Sequence, residues 1–117
     1  MKERDRDILE HVVKYCDQIK GTVAMFDDTL ETLTANHVYR NAVSMCVLQI
    51  GELTNHLTAK FRDSHTQIPW NEIKGMRNIA AHQYKTFSME ILHNVITNKV
   101  PELRNYCQKL LDNVYYS

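Results

Sequence analysis

One short stretch concentrates side chains able to do chemistry. The string "GMRNIAAHQY", residues 75–84, sets Arg77, Asn78, His82 and Tyr84 within eight positions. A histidine titrates near neutrality, so it can take a proton from a ribose 2′-hydroxyl or return one to a leaving oxygen. An arginine offers paired N–H donors to a phosphate as negative charge accumulates on it. Together they suit cleavage of an RNA phosphodiester without a metal. Ala80 and Ala81 leave room for a nucleotide, and Asn78 can orient the imidazole or bond a phosphate oxygen.

The spacing limits how one copy could use these groups. Asn78 and His82 are four apart and face the same way on a helix. Arg77 and His82 are five apart, so on a continuous helix they diverge by about 140°. A single helix is therefore a poor clamp for one phosphate unless it ends nearby. Two copies facing each other across a two-fold axis would gather two arginines and two histidines around one cleft, and isologous pairing is the commonest oligomer geometry. Arg40, Lys74 and Lys85 can extend a phosphate-binding rim, or stand as solvated charges. The same R-N-x-x-x-H string also fits an ordinary helix end, where Arg and His are surface residues favoured by the dipole.

The elements that must hold these residues are legible as helices. The chain has 117 residues, 44% of them hydrophobic, with 3 Gly and 2 Pro. That suits one domain with a real core and few turns. Ile8, Val12, Cys16, Ile19 and Val23 step by three and four and mark a first helix, which Gly21 is expected to end or loosen. The segment 22–36, with Val23, Phe26, Leu30 and Leu33, predicts a short second helix or a bent continuation of the first. Asn36 is placed to cap a third, long helix over about residues 37–60, with Val43, Val47, Ile50, Leu53 and Leu57 inward. Gly51 lies in the middle of it, where glycine costs about 1 kcal/mol against alanine. Close approach of another helix backbone is the expected compensation, and ligand contact the alternative. Glu52 beside it either pairs with an arginine near the cleft or faces solvent.

"FRDSHTQIP", residues 61–69, breaks the pattern and predicts a loop. A fourth helix should start near Pro69 or Trp70, with Trp70, Ile73 and Ala80 on one face and Lys74, Arg77 and Ala81 on another. The last helix is expected over about 88–113, with Leu92, Ile96, Leu103, Cys107, Leu110 and Val114 inward and a kink or break at Pro101. The five methionines read as core filler, and Tyr115 and Tyr116 as a tail. The sum is an all-α, antiparallel bundle of four to five helices.

Composition narrows the function classes. Lys plus Arg and Asp plus Glu each number 14, so the formal net charge is zero. The molecule as a whole will not attract nucleic acid, and any RNA contact needs a local basic patch, such as two paired subunits would form. No run of about 18 apolar residues exists, and "MKERDRDILE" is too charged for a signal peptide. Cys16, Cys46 and Cys107 lie far apart in apolar patterns and read as buried thiols of a reducing cytosol. His11, His37, His56, His65 and His93 make no metal-ligand spacing, so neither a metal nor a cofactor is expected.

"IGEL" at 50–53, "IPWNEIKGMRNIAAHQY" at 68–84 and "VPEL" at 100–103 together resemble the HepT branch of the HEPN superfamily, over about residues 5–112. The resemblance implies a HEPN-like fold and a homodimeric, metal-independent ribonuclease toxin of a toxin–antitoxin pair. It maps the family's arginine and histidine to Arg77 and His82, and its following polar residue to Asn78. It implies a partner, a minimal (MNT-type) nucleotidyltransferase antitoxin that silences the toxin by placing AMP on the motif tyrosine, here Tyr84. After Tyr84 the segment reads "KTFSMEILHN", where relatives often carry an acidic residue and a tryptophan; here His93 stands in the last helix instead. The rival expectation is a non-catalytic helical subunit that binds nucleotide or substrate for a nucleotidyltransferase.

Overall fold

The computed structural model describes residues 1–81 and 86–113. Helix α1 (Glu3–Met25) opens with Glu3 and Asp5 in its first turn, where negative charge meets the positive end of the helix dipole. It buries Ile8, Val12, Cys16 and Ile19 at the expected helical steps, with Leu9 and Val13 beside them and Val23 partly buried. Gly21 does not end it. The helix runs four residues further, because an exposed glycine with open space around it weakens a helix without breaking it. The chain breaks instead at Asp27–Thr29, where polar side chains offer the backbone local partners. Asp27 accepts from the Thr29 amide at 3.0 Å, and Thr29 Oγ1 accepts from the Thr32 amide at 3.2 Å, capping α2 (Leu30–Ala35). The second helix is thus shorter than segment 22–36, whose first four residues belong to α1.

Asn36 caps α3 (His37–Asn55) as expected, accepting from the Val38 and Tyr39 amides at 3.0 and 3.1 Å. Phe26 stacks on the fully buried Tyr39 with ring centroids 4.9 Å apart, which seats the α1–α2 corner on α3. The third helix stops at Asn55 rather than near residue 60. Thr58 starts a new one, α4 (Ala59–Ser64), by accepting from the Phe61 amide at 3.1 Å. Asp5, only 2% exposed, accepts from the Thr58 amide at 2.9 Å and from its hydroxyl at 2.7 Å. The start of α1 therefore lies beside the end of α3, and the two helices run antiparallel. This contact links residues 53 positions apart, so neither local pattern could announce it.

Residues 61–64 of the expected loop 61–69 are thus helical, and Phe61 is buried. The Trp70 indole N–H donates to the Arg62 and His65 carbonyls at 3.1 and 3.0 Å, giving partners to the open end of α4. Trp70 also begins α5 (Trp70–Ala81), which turns back along α3 and buries Ile73, Met76 and Ala80. The last rod begins at Thr86: α6 (Thr86–Asn94), a π-helical turn (Val95–Lys99) and α7 (Val100–Asp112) follow without interruption. Pro101 lacks an N–H and falls in the first turn of α7. The rod stays continuous because the preceding turn widens, the Val100 amide reaching back five residues to the Val95 carbonyl.

Four long rods (α1, α3, α5 and α6–π–α7) and two short helices form the bundle, all-α as expected and without a strand among the described residues. Leu92, Val95, Ile96, Val100, Leu103 and Cys107 carry the last rod into the same core. Only Met76 and Met89 fill the core; Met25 and Met45 are exposed on their helices, and Met1, which precedes α1, is exposed as well. Val114, Tyr115 and Tyr116 lie outside the described residues. No helix among the described residues is long and apolar enough to cross a membrane.

Candidate active site

The position of Arg77 follows from how α5 sits on α3. Gly51 faces α5 at the closest point. A Cβ built there would stand 3.1 Å from the Arg77 Cβ, 3.4 Å from its amide nitrogen and 3.5 Å from the Ile73 carbonyl oxygen. The glycine is there because two helix backbones need its space, which is the structural reading its mid-helix position suggested. The next residue meets the other end of the same side chain: Arg77 Nη1 donates to Glu52 Oε1 at 2.8 Å. Both side chains are 43% exposed, so the pair sits at the rim of the α3–α5 seam rather than inside it. Glu52 thus pairs with the arginine of the motif, one of the two alternatives its sequence context left open.

Asn78 and Lys74 are exposed on α5. Lys74 precedes Arg77 by three residues, so its charge shares that side of the helix. Arg40 is placed elsewhere. It lies in the first turn of α3, eleven residues before Gly51, and therefore about 16 Å away along the helix axis. Its guanidinium donates to the Thr34 carbonyl and closes the α2–α3 corner. The structure does not bring Arg40 beside Arg77 within one copy. His82, Tyr84 and Lys85 lie outside the described residues, as does the expected geometry between Arg77 and His82. His93 bonds the Asp28 carbonyl through Nε2, tying α6 to the turn before α2.

The cysteines belong to the core rather than to this rim. All three cysteines are buried and unpaired with one another. Burial pushes the Cys16 and Cys107 thiols from an ordinary 9.0 up to about 12, and raises Cys46 as well. They are packing residues, as their apolar settings suggested. Among the described residues no group of three or more His, Cys, Asp or Glu is arranged to hold a metal ion.

Comparison with known proteins bears on this arrangement. A family model described as HepT-like, ribonuclease HepT-like, matches residues 8–110. A protein of Caldanaerobacter subterraneus subsp. tengcongensis named as a candidate RNase is 28% identical over 110 residues, covering 91% of this chain and 93% of that one. Another protein named as a candidate RNase, from Methanocaldococcus jannaschii, is 25% identical over 115 residues, covering 97% of each chain. A protein of Thermococcus cleftensis named as a probable ribonuclease HepT is 24% identical over 110 residues, covering 94% of this chain and 98% of that one. No solved structure matches.

Proposed function

Because this chain belongs to the HepT-like ribonuclease family, we propose that it is a metal-independent endoribonuclease toxin of a toxin–antitoxin pair, acting as a homodimer at a cleft built from Arg77, Asn78 and His82. The observation that carries this reading is the state of Arg77. A family-motif arginine stands where Gly51 lets α5 close on α3 and is bonded at its tip on a solvent-facing rim, five residues before His82. An arginine kept only for stability would gain little there, since an exposed ion pair contributes about 0–1 kcal/mol.

The chemistry follows from the side chains. The imidazole of His82 takes the proton of a ribose 2′-hydroxyl. The 2′-oxygen attacks the adjacent phosphorus, the bond to the 5′-oxygen breaks, and a 2′,3′-cyclic phosphate and a 5′-hydroxyl result. Charge accumulates on the non-bridging phosphate oxygens, and the Arg77 guanidinium donates to them. The leaving 5′-oxygen takes a proton from the second imidazole of the cleft. Base, acid and charge stabiliser are all side chains, so the step itself asks for no metal. Lys74 and Lys85 supply the rim for neighbouring phosphates. Arg40 joins that rim only if the second copy brings it there.

Regulation rests on the family resemblance, which maps the modified tyrosine to Tyr84. A partner nucleotidyltransferase, the MNT-type antitoxin, adds AMP to its phenol. That places a bulky anion two residues from His82, where it fills the cleft and repels RNA phosphate.

The test is cleavage of single-stranded RNA in EDTA by the purified protein. The expected result is cleavage by wild type, lost in His82→Ala and in Arg77→Ala with both variants folded. Equal inertness of all three sinks the catalytic reading. The zero net charge favours one rival, a non-catalytic nucleotide-binding subunit. Expression that leaves cell growth unharmed, together with measurable nucleotide binding, would establish that rival instead.

A further inference from the structure

We propose that Glu52 is a positioning residue of this reaction: with Gly51 it aims the Arg77 guanidinium before RNA arrives. The inference rests on the ribonuclease reading above and goes one residue deeper into the same site. Its basis is that of two consecutive residues of α3 one lets the root of an α5 side chain come close and the next bonds its tip. Gly51 gives the root the space it needs, the Arg77 Cβ lying 3.1 Å from where a Cβ on residue 51 would be. Glu52 accepts from Nη1 at the tip, at 2.8 Å. An arginine side chain has four rotatable bonds, and an unheld guanidinium on an exposed rim would sample many rotamers. The bond at the tip restrains that orientation before the substrate binds, which is how a transition-state donor gains over a mobile one.

The pair is not one of the local kind that helices form by default. Its partners are 25 positions apart and lie on different rods. One N–H of Nη1 is used, and a guanidinium carries five, so the bond to Glu52 is compatible with paired donation to a phosphate from another edge. The carboxylate also has an electrostatic effect of the opposite sign. It stands within hydrogen-bond distance of the group that meets the phosphate, so it weakens ground-state attraction of RNA while sharpening the geometry of the transition state.

Those two effects separate in kinetics. RNA cleavage in EDTA is followed at concentrations spanning KM for wild type, Glu52→Gln, Glu52→Asp and Glu52→Ala. The expected result is kcat lower by about tenfold or more in Glu52→Ala, with KM unchanged or lower. Glu52→Gln, which keeps an acceptor oxygen, should recover part of kcat. A residue that only stabilised the fold would not lower kcat and KM together. Arginine side-chain NMR gives a readout independent of cleavage. The Arg77 guanidinium, assigned by its absence in Arg77→Lys, should show hindered Nη rotation in wild type and free rotation in Glu52→Ala. Should Glu52→Ala misfold, the near-isosteric Glu52→Gln carries the kinetic comparison. Active wild type with Glu52 variants within twofold in kcat and KM overturns this inference alone. Wild-type protein no more active than His82→Ala overturns the ribonuclease reading, and this inference with it.

Discussion

The Cβ of Arg77 lies 3.1 Å from the point that a side chain at Gly51 would occupy. Two helices approach closely enough to crowd a side chain at residue 51, at the position that carries the motif arginine. The arginine is set by the seam between α3 and α5 rather than by the local course of α5 alone. Its salt bridge to Glu52 uses the residue next to the same glycine.

Gly51→Ala and Gly21→Ala should therefore move stability in opposite directions. Alanine gains about 1 kcal/mol of helix propensity over glycine in a helix interior. At Gly21 nothing stands within 4 Å of the new Cβ, so that gain should appear as about 0.5–1 kcal/mol of added stability. At Gly51 the new Cβ meets the root of Arg77 and the backbone of α5, neither of which swings aside. Overpacking costs about 1–3 kcal/mol, so a net loss of about 1 kcal/mol is expected. RNA cleavage should fall with it, because α5 must shift. Urea denaturation of the two variants, each paired with a cleavage assay, checks both.

Arg77→Lys should leave the fold nearly untouched and still disable the site. The ion pair it replaces is exposed at both partners, so stability should change by no more than about 1 kcal/mol. A lysine presents a point charge in place of a planar fork. Loss of that paired donation should lower kcat/KM by about 100-fold. Cleavage within a factor of a few of wild type would contradict the assignment of Arg77.

Asp5→Ala should be among the more damaging single changes outside the apolar core. The buried carboxylate bonds both the amide and the hydroxyl of Thr58 and so closes the α1 and α4 ends together. Removing it leaves that amide short of a partner in a place water reaches poorly, a loss of about 2 kcal/mol. Asp5→Asn keeps one acceptor and should fall between. Chemical denaturation midpoints for the three proteins supply the comparison.

The buried thiols fix the sign of an alkaline effect. In the folded chain Cys16 and Cys107 ionise at about 12, against 9.0 ordinarily. Below pH 9 both states hold these protons, and stability is fully present. From about pH 9 to 12 the unfolded chain releases them while the folded chain does not, so stability falls as pH rises. Thermal midpoints across that range should drop, and Cys16→Ser with Cys107→Ser should flatten the thiol part of the decline. The native protein should resist thiol alkylation at pH 8, since the thiolate is the reactive form. Rapid labelling of Cys16 or Cys107 without unfolding would contradict their burial.

The sequence by itself determined the helical class, the inward faces and the candidate motif. Apolar steps of three and four need only the period of the helix, so Ile8 to Ile19 and Val43 to Ile50 were legible as core. Asn36 as a cap was legible for the same reason, since it acts on its own turn; the kink or break expected at Pro101 is replaced by a continuous rod with a π-helical turn before the proline. The structure alone decided where helices stopped and what the seam held. Residues 61–64 of the expected loop became helical because Asp5, far back in the chain, meets Thr58, and because the Trp70 indole serves the carbonyls of α4. Glu52 could have faced solvent; it meets Arg77 because Gly51 lets α5 come close. Local periodicity says which face of a helix turns inward. It carries no information on which residue of another helix arrives there, because that depends on contacts between residues distant in the chain.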